Sequence, residues 1–170
     1  PSISPDGTRV AYHDGEDIYV CRLEEGGPEA TRIGPGFDPR WWVHPETGDE
    51  YIIYVSTKWE NSADVSGNTL IRQIGVGATK PVGDASVLVH GYALRGGRSR
   101  DGRYMSTAQP GWVWAELHPN ETQDALIRVV ESRVGGHCNV SMSQDPAHPD
   151  RFLWLDGPHR RLFYDPRTNA

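Results

Sequence analysis

Residues 2–20, SISPDGTRVAYHDGEDIYV, place short β-type runs between turns rich in Asp and Gly. Asp-Gly between alternating apolar and polar residues is a strong local signal for a β-hairpin, because Gly takes the positive φ that such turns need. The stretch contains this pair twice, at 6–7 and at 14–15. It therefore predicts at least two antiparallel strands, and it raises the question whether the hairpin recurs.

The hairpin recurs three more times along the chain. The run RVAY at 9–12 has counterparts in EYIIY at 50–54, RYMS at 103–106 and RFLW at 151–154. Each copy follows a turn of Asp, Gly or Pro and precedes a second β-type run, at 17–23, 69–74, 112–117 and 161–165. A third run closes the first three copies, at 30–33, 86–89 and 125–130. Repeats of this length predict a repeat architecture rather than a single hairpin.

A unit of about 40 to 50 residues with three or four short strands is typical of a β-propeller blade. We therefore predict an all-β fold, a β-propeller of about four blades in one domain over 1–170. The predicted blades are 1–34, 38–89, 92–131 and 137–165. The chain forms either a small closed ring or part of a larger propeller. In one form of the second alternative, a second copy of the chain completes the ring as a homo-oligomer.

The first copy also resembles a known family of repeats. SPDGTRVAY, followed by DIYV and a Gly-Gly pair at 26–27, resembles the TolB-like (WD40-like) propeller repeats, whose blades carry S-P-D-G ahead of an apolar strand. The match is close over 2–27 and fair over 98–117. This resemblance implies a propeller fold, which hosts enzymes, binding modules and scaffolds alike. We expect a periplasmic or secreted protein.

Composition excludes several classes of protein. The net charge of −6 argues against a nucleic-acid partner. No run of 18 apolar residues is present, so no membrane partner or membrane-spanning helix is expected. The two cysteines, Cys21 and Cys138, are better explained as buried free thiols than as a disulfide. No cofactor is expected, since P-loop, G-x-S-x-G and G-x-G-x-x-G motifs are absent.

We letter the strands of each repeat a to d, from the centre of the ring outward. The repeat register then predicts on which face of the propeller each loop between strands lies. In a propeller the a–b turns lie on one face, and the b–c and d–a loops lie together on the other, around the central channel. Polar and aromatic residues in those loops are the candidates for a ligand site, because pockets combine a few polar groups with apolar walls. The predicted ligand-binding residues are Arg40, Lys58, Trp59, Trp112, His13 and His159.

Two functional classes fit these loops. The first is a binding module for an extended polar ligand, a glycan or a peptide, which stacks on Trp59 and Trp112. The alternative is a polysaccharide lyase acting by β-elimination on uronate-containing glycans, since lyases of oligogalacturonate and ulvan carry TolB-like repeats. That reaction needs a base, a proton donor and a cation for the carboxylate. The predicted catalytic residues are His137 or His90 as base, Tyr92 as acid and Arg95 as neutraliser.

Two weaker expectations complete the set. A TolB-like scaffold that binds a partner protein is a third class of function. No metal is expected, because His137 and Cys138, even with His13 or His159, lack the spacing of a known metal motif. The b strands predict a core, in which Tyr12, Ile53, Met105 and Leu153 are mostly buried between blades.

Overall fold

The structure of the chain is a computed structural model, and its described residues form fourteen strands. It describes residues 1–24, 29–58, 67–91, 93–106, 112–116, 126–130, 138–148, 152–155 and 161–164, with backbone only for 106, 112–116, 126–130, 138–141, 152–155 and 161–164. No described part of the chain forms a helix long and apolar enough to cross a membrane. The strands are β1 Ser2–Ile3, β2 Arg9–Asp14, β3 Asp17–Arg22, β4 Thr31–Pro35, β5 Phe37–Val43, β6 Glu50–Val55, β7 Thr69–Ile74, β8 Pro81–Val89, β9 Tyr104–Ser106, β10 Trp112–Glu116, β11 Leu126–Val130, β12 Cys138–Met142, β13 Phe152–Leu155 and β14 Arg161–Tyr164.

Four antiparallel sheets follow one another along the chain. The first has the order β1-β2-β3-β4 and the second β5-β6-β7-β8, so each is one complete four-stranded unit of the repeat. The third sheet contains β9, β10 and β11, and its innermost strand is reduced to a single bridge between Arg98 and Met105. The fourth contains β12, β13 and β14. The predicted all-β fold and the four repeats are confirmed at this level.

The turns before the b strands are built as the sequence predicts. The carboxylate of Asp6 accepts a hydrogen bond from the backbone N–H of Thr8 at 2.9 Å, and Gly7 has a φ of 72°. The same arrangement recurs in the third sheet, where Asp101 accepts from the N–H of Arg103 at 3.1 Å. An Asp side chain that bonds the backbone two residues on fixes a tight turn. These residues therefore set the direction in which each hairpin leaves the inner strand.

The core lies between the sheets and follows from the alternation of side chains in strands. Trp41 and Trp42 are neighbours in β5, and both are completely buried, on opposite faces of the second sheet. Trp41 packs in a cluster with Ala11 and Val20 of the first sheet. Trp42 packs in a second cluster that includes Met105 of the third sheet. The second sheet is thus buried on both of its faces.

One predicted core residue is only half-buried. Ile53 and Met105 are fully buried as predicted, whereas Tyr12 is partly exposed, and the side chain of Leu153 lies outside the described residues. Tyr12 lies on the face of the first sheet that points away from the second sheet. No described sheet packs there, so Tyr12 is less deeply buried than Ile53 and Met105 and does not lie between two described sheets.

The closed four-bladed ring is not formed. The main contacts between sheets join β1, β2 and β3 to β5, and β9 to β12, so they link neighbours along the chain. The described residues form an open arc of sheets. The prediction of a small closed ring is therefore wrong for the described residues, because the first and fourth sheets lie at opposite ends of the arc and do not pack against each other.

Cys21 is a free and buried thiol in β3. Its nearest strand partner is Val10, with which it is paired across the first sheet. The side chain of Cys138 lies outside the described residues. The predicted free thiol is confirmed for Cys21.

A buried ion pair joins the first two sheets at the face that carries the a–b turns. Arg9 is 1% exposed and lies 2.8 Å from Glu50 and 2.7 Å from Asp6. Its guanidinium stacks over Trp41 at 4.6 Å from the ring centroid and donates to the backbone oxygen of Ala78 at 2.9 Å. Burial alone lowers the pKa of an arginine, but here Glu50 and Asp6 outweigh it and raise the pKa of Arg9.

We predict that Ile53→Ala lowers the free energy of unfolding by about 2–5 kcal/mol, as for other large aliphatic residues in a packed core. Ile53 is 1% exposed and belongs to the cluster between the second and third sheets. Urea unfolding monitored by tryptophan fluorescence measures the change. Val82→Ala is the control, since Val82 is 51% exposed on the outer strand. A loss for Ile53→Ala as small as that of the control contradicts the packing described above.

We also predict a pH-dependent cost for Asp6→Asn. Hydrogen bonds from the side chain of Ser4 and from the backbone and side chain of Thr8 hold the pKa of Asp6 well below its usual range. A depressed pKa in the folded state stabilises the fold above the unfolded value, near 3.8, and this contribution disappears as the pH falls toward the folded pKa. The variant is therefore less stable than the parent at pH 7, and the difference shrinks in acid. Asp84→Asn, on an exposed strand, controls for the loss of charge; an equal difference at both pH values contradicts the assignment.

Candidate functional site

The d–a and b–c loops meet on one side of the arc, which we call the mouth face. The backbone N–H of Gly36, in the loop before β5, donates to the oxygen of Glu16 at 2.9 Å. The N–H of Gly91, in the loop after β8, donates to the side chain of Asn68 at 3.0 Å. Each bond joins a d–a loop to a b–c loop. The loop sorting that the repeat register predicts is therefore observed for these loops of the first two sheets.

A second buried ion pair stiffens the mouth face. Arg95 is 8% exposed and lies 2.6 Å from the carboxylate of Asp38, and it also donates to the backbone oxygen of Thr57 at 2.6 Å. Asp38 has a φ of 51°, and it is the sole residue other than glycine with a positive φ in the part of the chain that the structure describes. A left-handed residue is tolerated where its surroundings hold it. Arg95 therefore ties its own d–a loop to the start of β5 and to the b–c loop at Thr57.

The other described candidates differ in their exposure. Lys58 and His90 are exposed at the mouth face, after β6 and β8 respectively. His13 is exposed near the end of β2, where its ring contacts the ring of Phe37 edge-on at 5.9 Å. Arg40 is half-buried in the middle of β5 and donates to the backbone oxygens of Arg95 at 3.0 Å and Gly96 at 3.4 Å.

Five of the predicted site residues lie outside the described residues, and their roles remain predictions. They are Trp59, Tyr92, Trp112, His137 and His159. For Trp112 this concerns the side chain alone. Among the residues that the structure does describe, no group of three or more His, Cys, Asp or Glu side chains is arranged to hold a metal ion.

An open cleft of about 360 Å³, which we call the axial cleft, lies between the innermost segments of the second, third and fourth sheets. Its wall is built from one residue of β5, the segment at the Arg98 bridge, and the end of β12. The side-chain amide of Gln144 fixes the third side of the cleft, since it donates to the backbone oxygens of Arg98 at 3.0 Å and Met142 at 3.3 Å. The lining residues are Arg40, Gly97, Arg98, Met142 and Gln144.

Two guanidinium groups line this cleft, and neither forms an ion pair with a carboxylate of the described residues. Burial lowers the pKa of Arg98, with no opposing contribution from an acidic neighbour. Burial also lowers the pKa of Arg40, and the charge of Asp38 only partly offsets that effect. A desolvated cation without a counter-charge is unfavourable by itself, so an anion that enters such a cleft gains more than it does at the surface. The axial cleft is therefore suited to a carboxylate.

Sequence reasoning included Arg40 but missed Arg98, Met142 and Gln144. Arg98 lies directly before the turn SRDG, and the sequence pattern there indicates the end of a loop rather than part of an inner strand. The resemblance of 98–117 to the first repeat offered a signal, because it aligns Arg98 with the inner-strand residue Ile3. The signal does not reveal that the fourth sheet adds Gln144 opposite it.

Comparison with known proteins identifies solved structures that have a similar fold. No protein-family model matches the chain, and no curated protein matches it. The structure is similar to that of TolB from Acinetobacter baumannii, with a TM-score of 0.59 and 15% sequence identity over 100% of this chain and 41% of that one. The fold is propeller-like. A prolyl endopeptidase is also similar, with a TM-score of 0.51 and 21% identity over 99% of this chain and 26% of that one.

These similarities concern the fold alone, since both identities are low. This chain spans 41% of the TolB chain and 26% of the prolyl endopeptidase chain. The resemblance of the S-P-D-G repeats to TolB-like propellers is supported at the level of architecture. Activities and ligands do not follow from shared architecture.

We predict that Arg95→Met lowers the free energy of unfolding by about 3 kcal/mol or more, because it leaves the charge of Asp38 without its partner. Arg32→Met is the matched control. Its ion pair with Asp17 has the same length, 2.6 Å, but the Arg32 side chain is 56% exposed, and such pairs contribute about 1 kcal/mol or less.

The double variant Arg95→Met with Asp38→Asn is expected to recover part of the loss, since it removes the uncompensated charge as well. Urea unfolding of the parent, Arg95→Met, Asp38→Asn and the double variant gives the coupling free energy. Equal losses for Arg95→Met and Arg32→Met contradict a structural role of Arg95 at the mouth face.

Proposed function

We propose that the protein is a ligand-binding propeller module that takes an extended acidic ligand, a uronate-containing glycan, with one carboxylate in the axial cleft. The observation that supports this proposal is the pair of guanidinium groups, Arg40 and Arg98, on the wall of an open cleft, neither with an acidic partner among the described residues. Arginine presents a planar array of donors that matches a carboxylate, which makes it suited to this task.

The rest of the ligand is proposed to reach the mouth face. Lys58 and His90 are exposed there, and Trp59, if it lies at that face as its loop predicts, supplies a flat apolar surface for a sugar ring. Arg40 connects the two regions, because it lines the cleft and bonds the backbone of the loop that carries Arg95. An extended polymer contacts both regions at once, whereas a monosaccharide occupies one of them.

The lyase alternative now needs a different cation. Arg95, the predicted neutraliser, is engaged with Asp38 and Thr57, so the neutralising role in either function is better assigned to Arg98 and Arg40. Of the two predicted bases, His90 is exposed at the mouth face, whereas His137 and the predicted acid Tyr92 lie outside the described residues. No contact of the described residues favours elimination over binding. A periplasmic or secreted location remains a prediction from the resemblance.

The test is calorimetric titration with oligogalacturonate at low and high salt. We predict that Arg98→Gln weakens binding by about 1.5–3 kcal/mol, the range for a hydrogen bond to a charged group, and that salt weakens the binding of the parent. Arg32→Gln is the control, since that guanidinium is exposed on the outer strand of the first sheet.

Each outcome separates the functions. Binding without change in ultraviolet absorbance supports the module, and new absorbance of an unsaturated uronate that is lost in Tyr92→Phe supports the lyase instead. Binding that Arg98→Gln leaves intact contradicts the axial cleft as the site. If no uronate oligomer binds, the glycan proposal fails and a partner protein becomes the function to pursue.

A further inference from the structure

Among the described residues that line the axial cleft, Gln144 has the one side chain that is polar and uncharged. It lies two residues after β12 and is exposed. Its nitrogen Nε2 donates to the backbone oxygens of Arg98 at 3.0 Å and of Met142 at 3.3 Å. A carbonyl oxygen only accepts hydrogen bonds, so these two contacts identify which end of the amide is the nitrogen.

These two contacts leave the amide of Gln144 with one remaining function. Nε2 carries two hydrogens, and the two backbone oxygens accept both of them. The oxygen Oε1 has two lone pairs, and no donor of the described residues bonds to it. The side chain of Gln144 therefore offers a ligand in the cleft a hydrogen-bond acceptor and no donor.

The turn that contains Gln144 does not require an amide at this position. The carboxylate of Asp145 accepts a hydrogen bond from the backbone N–H two residues on, as those of Asp6 and Asp101 do in the turns of the first and third sheets. The residue before this aspartate is proline in the first sheet and arginine in the third. The side chain of Gln144 is therefore not needed to form the turn, and its place at the cleft calls for another explanation.

Further contacts hold Gln144 against the third sheet. The backbone N–H of Arg100 donates to the oxygen of Ser143 at 3.3 Å, and the guanidinium of Arg100 donates to the backbone oxygen of Gln144 at 3.4 Å. Together with the bond from the amide to Arg98, these contacts run in both directions between the third and fourth sheets. A polar group that is held before the ligand arrives loses little entropy on binding.

The guanidinium of Arg98 provides donors next to this acceptor. Burial is the one influence on its pKa, and no hydrogen bond or ion pair of the described residues engages it. By contrast, all three side-chain nitrogens of Arg40 donate to backbone oxygens. Arg98 therefore has its full set of donors available for a carboxylate. Because the amide of Gln144 bonds the backbone of Arg98 itself, donors and acceptor lie on adjoining parts of the cleft wall.

We propose that Gln144 is a specificity-determining residue of the axial cleft, and that its Oε1 accepts a hydrogen bond from a hydroxyl group near the carboxylate that Arg98 binds. This inference deepens the proposed function and rests on it. A ligand without that hydroxyl displaces the water that bonds Oε1 in the free protein and leaves the acceptor unsatisfied. The cleft therefore selects sugar acids with free hydroxyl groups over equally charged ligands whose hydroxyls are blocked.

Calorimetric titration with two ligands of equal length and charge tests this role, namely oligogalacturonate and the same oligomer with its hydroxyl groups acetylated. We expect the parent to bind the free oligomer about 10-fold more tightly, the effect of one hydrogen bond. Gln144→Met removes the acceptor at nearly constant size and is expected to bind both oligomers with equal affinity. Gln73→Met, the same change in β7, is the matched control and is expected to keep the preference of the parent.

The ratio of the two affinities isolates the acceptor from other effects of the substitution. A displacement of Arg98 in Gln144→Met weakens both oligomers alike, and crowding by the acetyl groups persists without the amide. A preference that Gln144→Met retains therefore overturns the proposal, and so does a parent that binds both oligomers equally. In either case, binding that Arg98→Gln still weakens leaves the proposed function intact. If the parent binds neither oligomer, the proposed function fails and this inference fails with it.

Discussion

The structure depends on one requirement, that a four-stranded sheet with two apolar faces must be covered on both. Trp41 and Trp42 illustrate this requirement. They are adjacent residues of one strand, so their large rings project to opposite faces of the sheet, and both rings are fully buried. Neither ring is covered by its own sheet. The first sheet covers one and the third covers the other, so the second sheet is stable only within the stack.

Buried ion pairs fix the order in which the sheets stack. Apolar faces pack against many partners, but Arg9 needs both Glu50 of the next sheet and Asp6 of its own turn, and Arg95 needs Asp38. A charge that loses such a partner in the interior is strongly unfavourable. One pair lies at the face of the a–b turns and the other at the mouth face, so the second sheet is held at both ends. These cations serve the fold, and this role separates them from cations that serve a ligand.

The axial cleft is a consequence of the same stacking. Innermost strands of successive sheets converge, and their side chains leave a gap where the third sheet shortens to a single bridge at Arg98. The two arginines there have backbone neighbours rather than carboxylates among the described residues. Exposed Lys58 and His90 add polar groups at the mouth. A ligand with repeated negative charges matches this distribution better than a neutral one does.

The sequence by itself determined the repeats, most strands within them, the Asp-Gly turns, and the side of the arc on which the loops of the first two sheets lie, because turn chemistry and the alternation of side chains are local properties. It also placed Ile53 in the core, and it named Arg40 as a ligand-binding candidate, although in a loop at the mouth rather than in the middle of β5. Only the tertiary structure decided that Arg95 is paired with Asp38, that Arg98 faces the cleft, and that Tyr12 remains half-exposed on an open arc. Those three outcomes depend on which sheet packs next to which. Residues 57 or 46 positions apart, such as Arg95 and Asp38 or Arg98 and Gln144, carry no local signal that they meet.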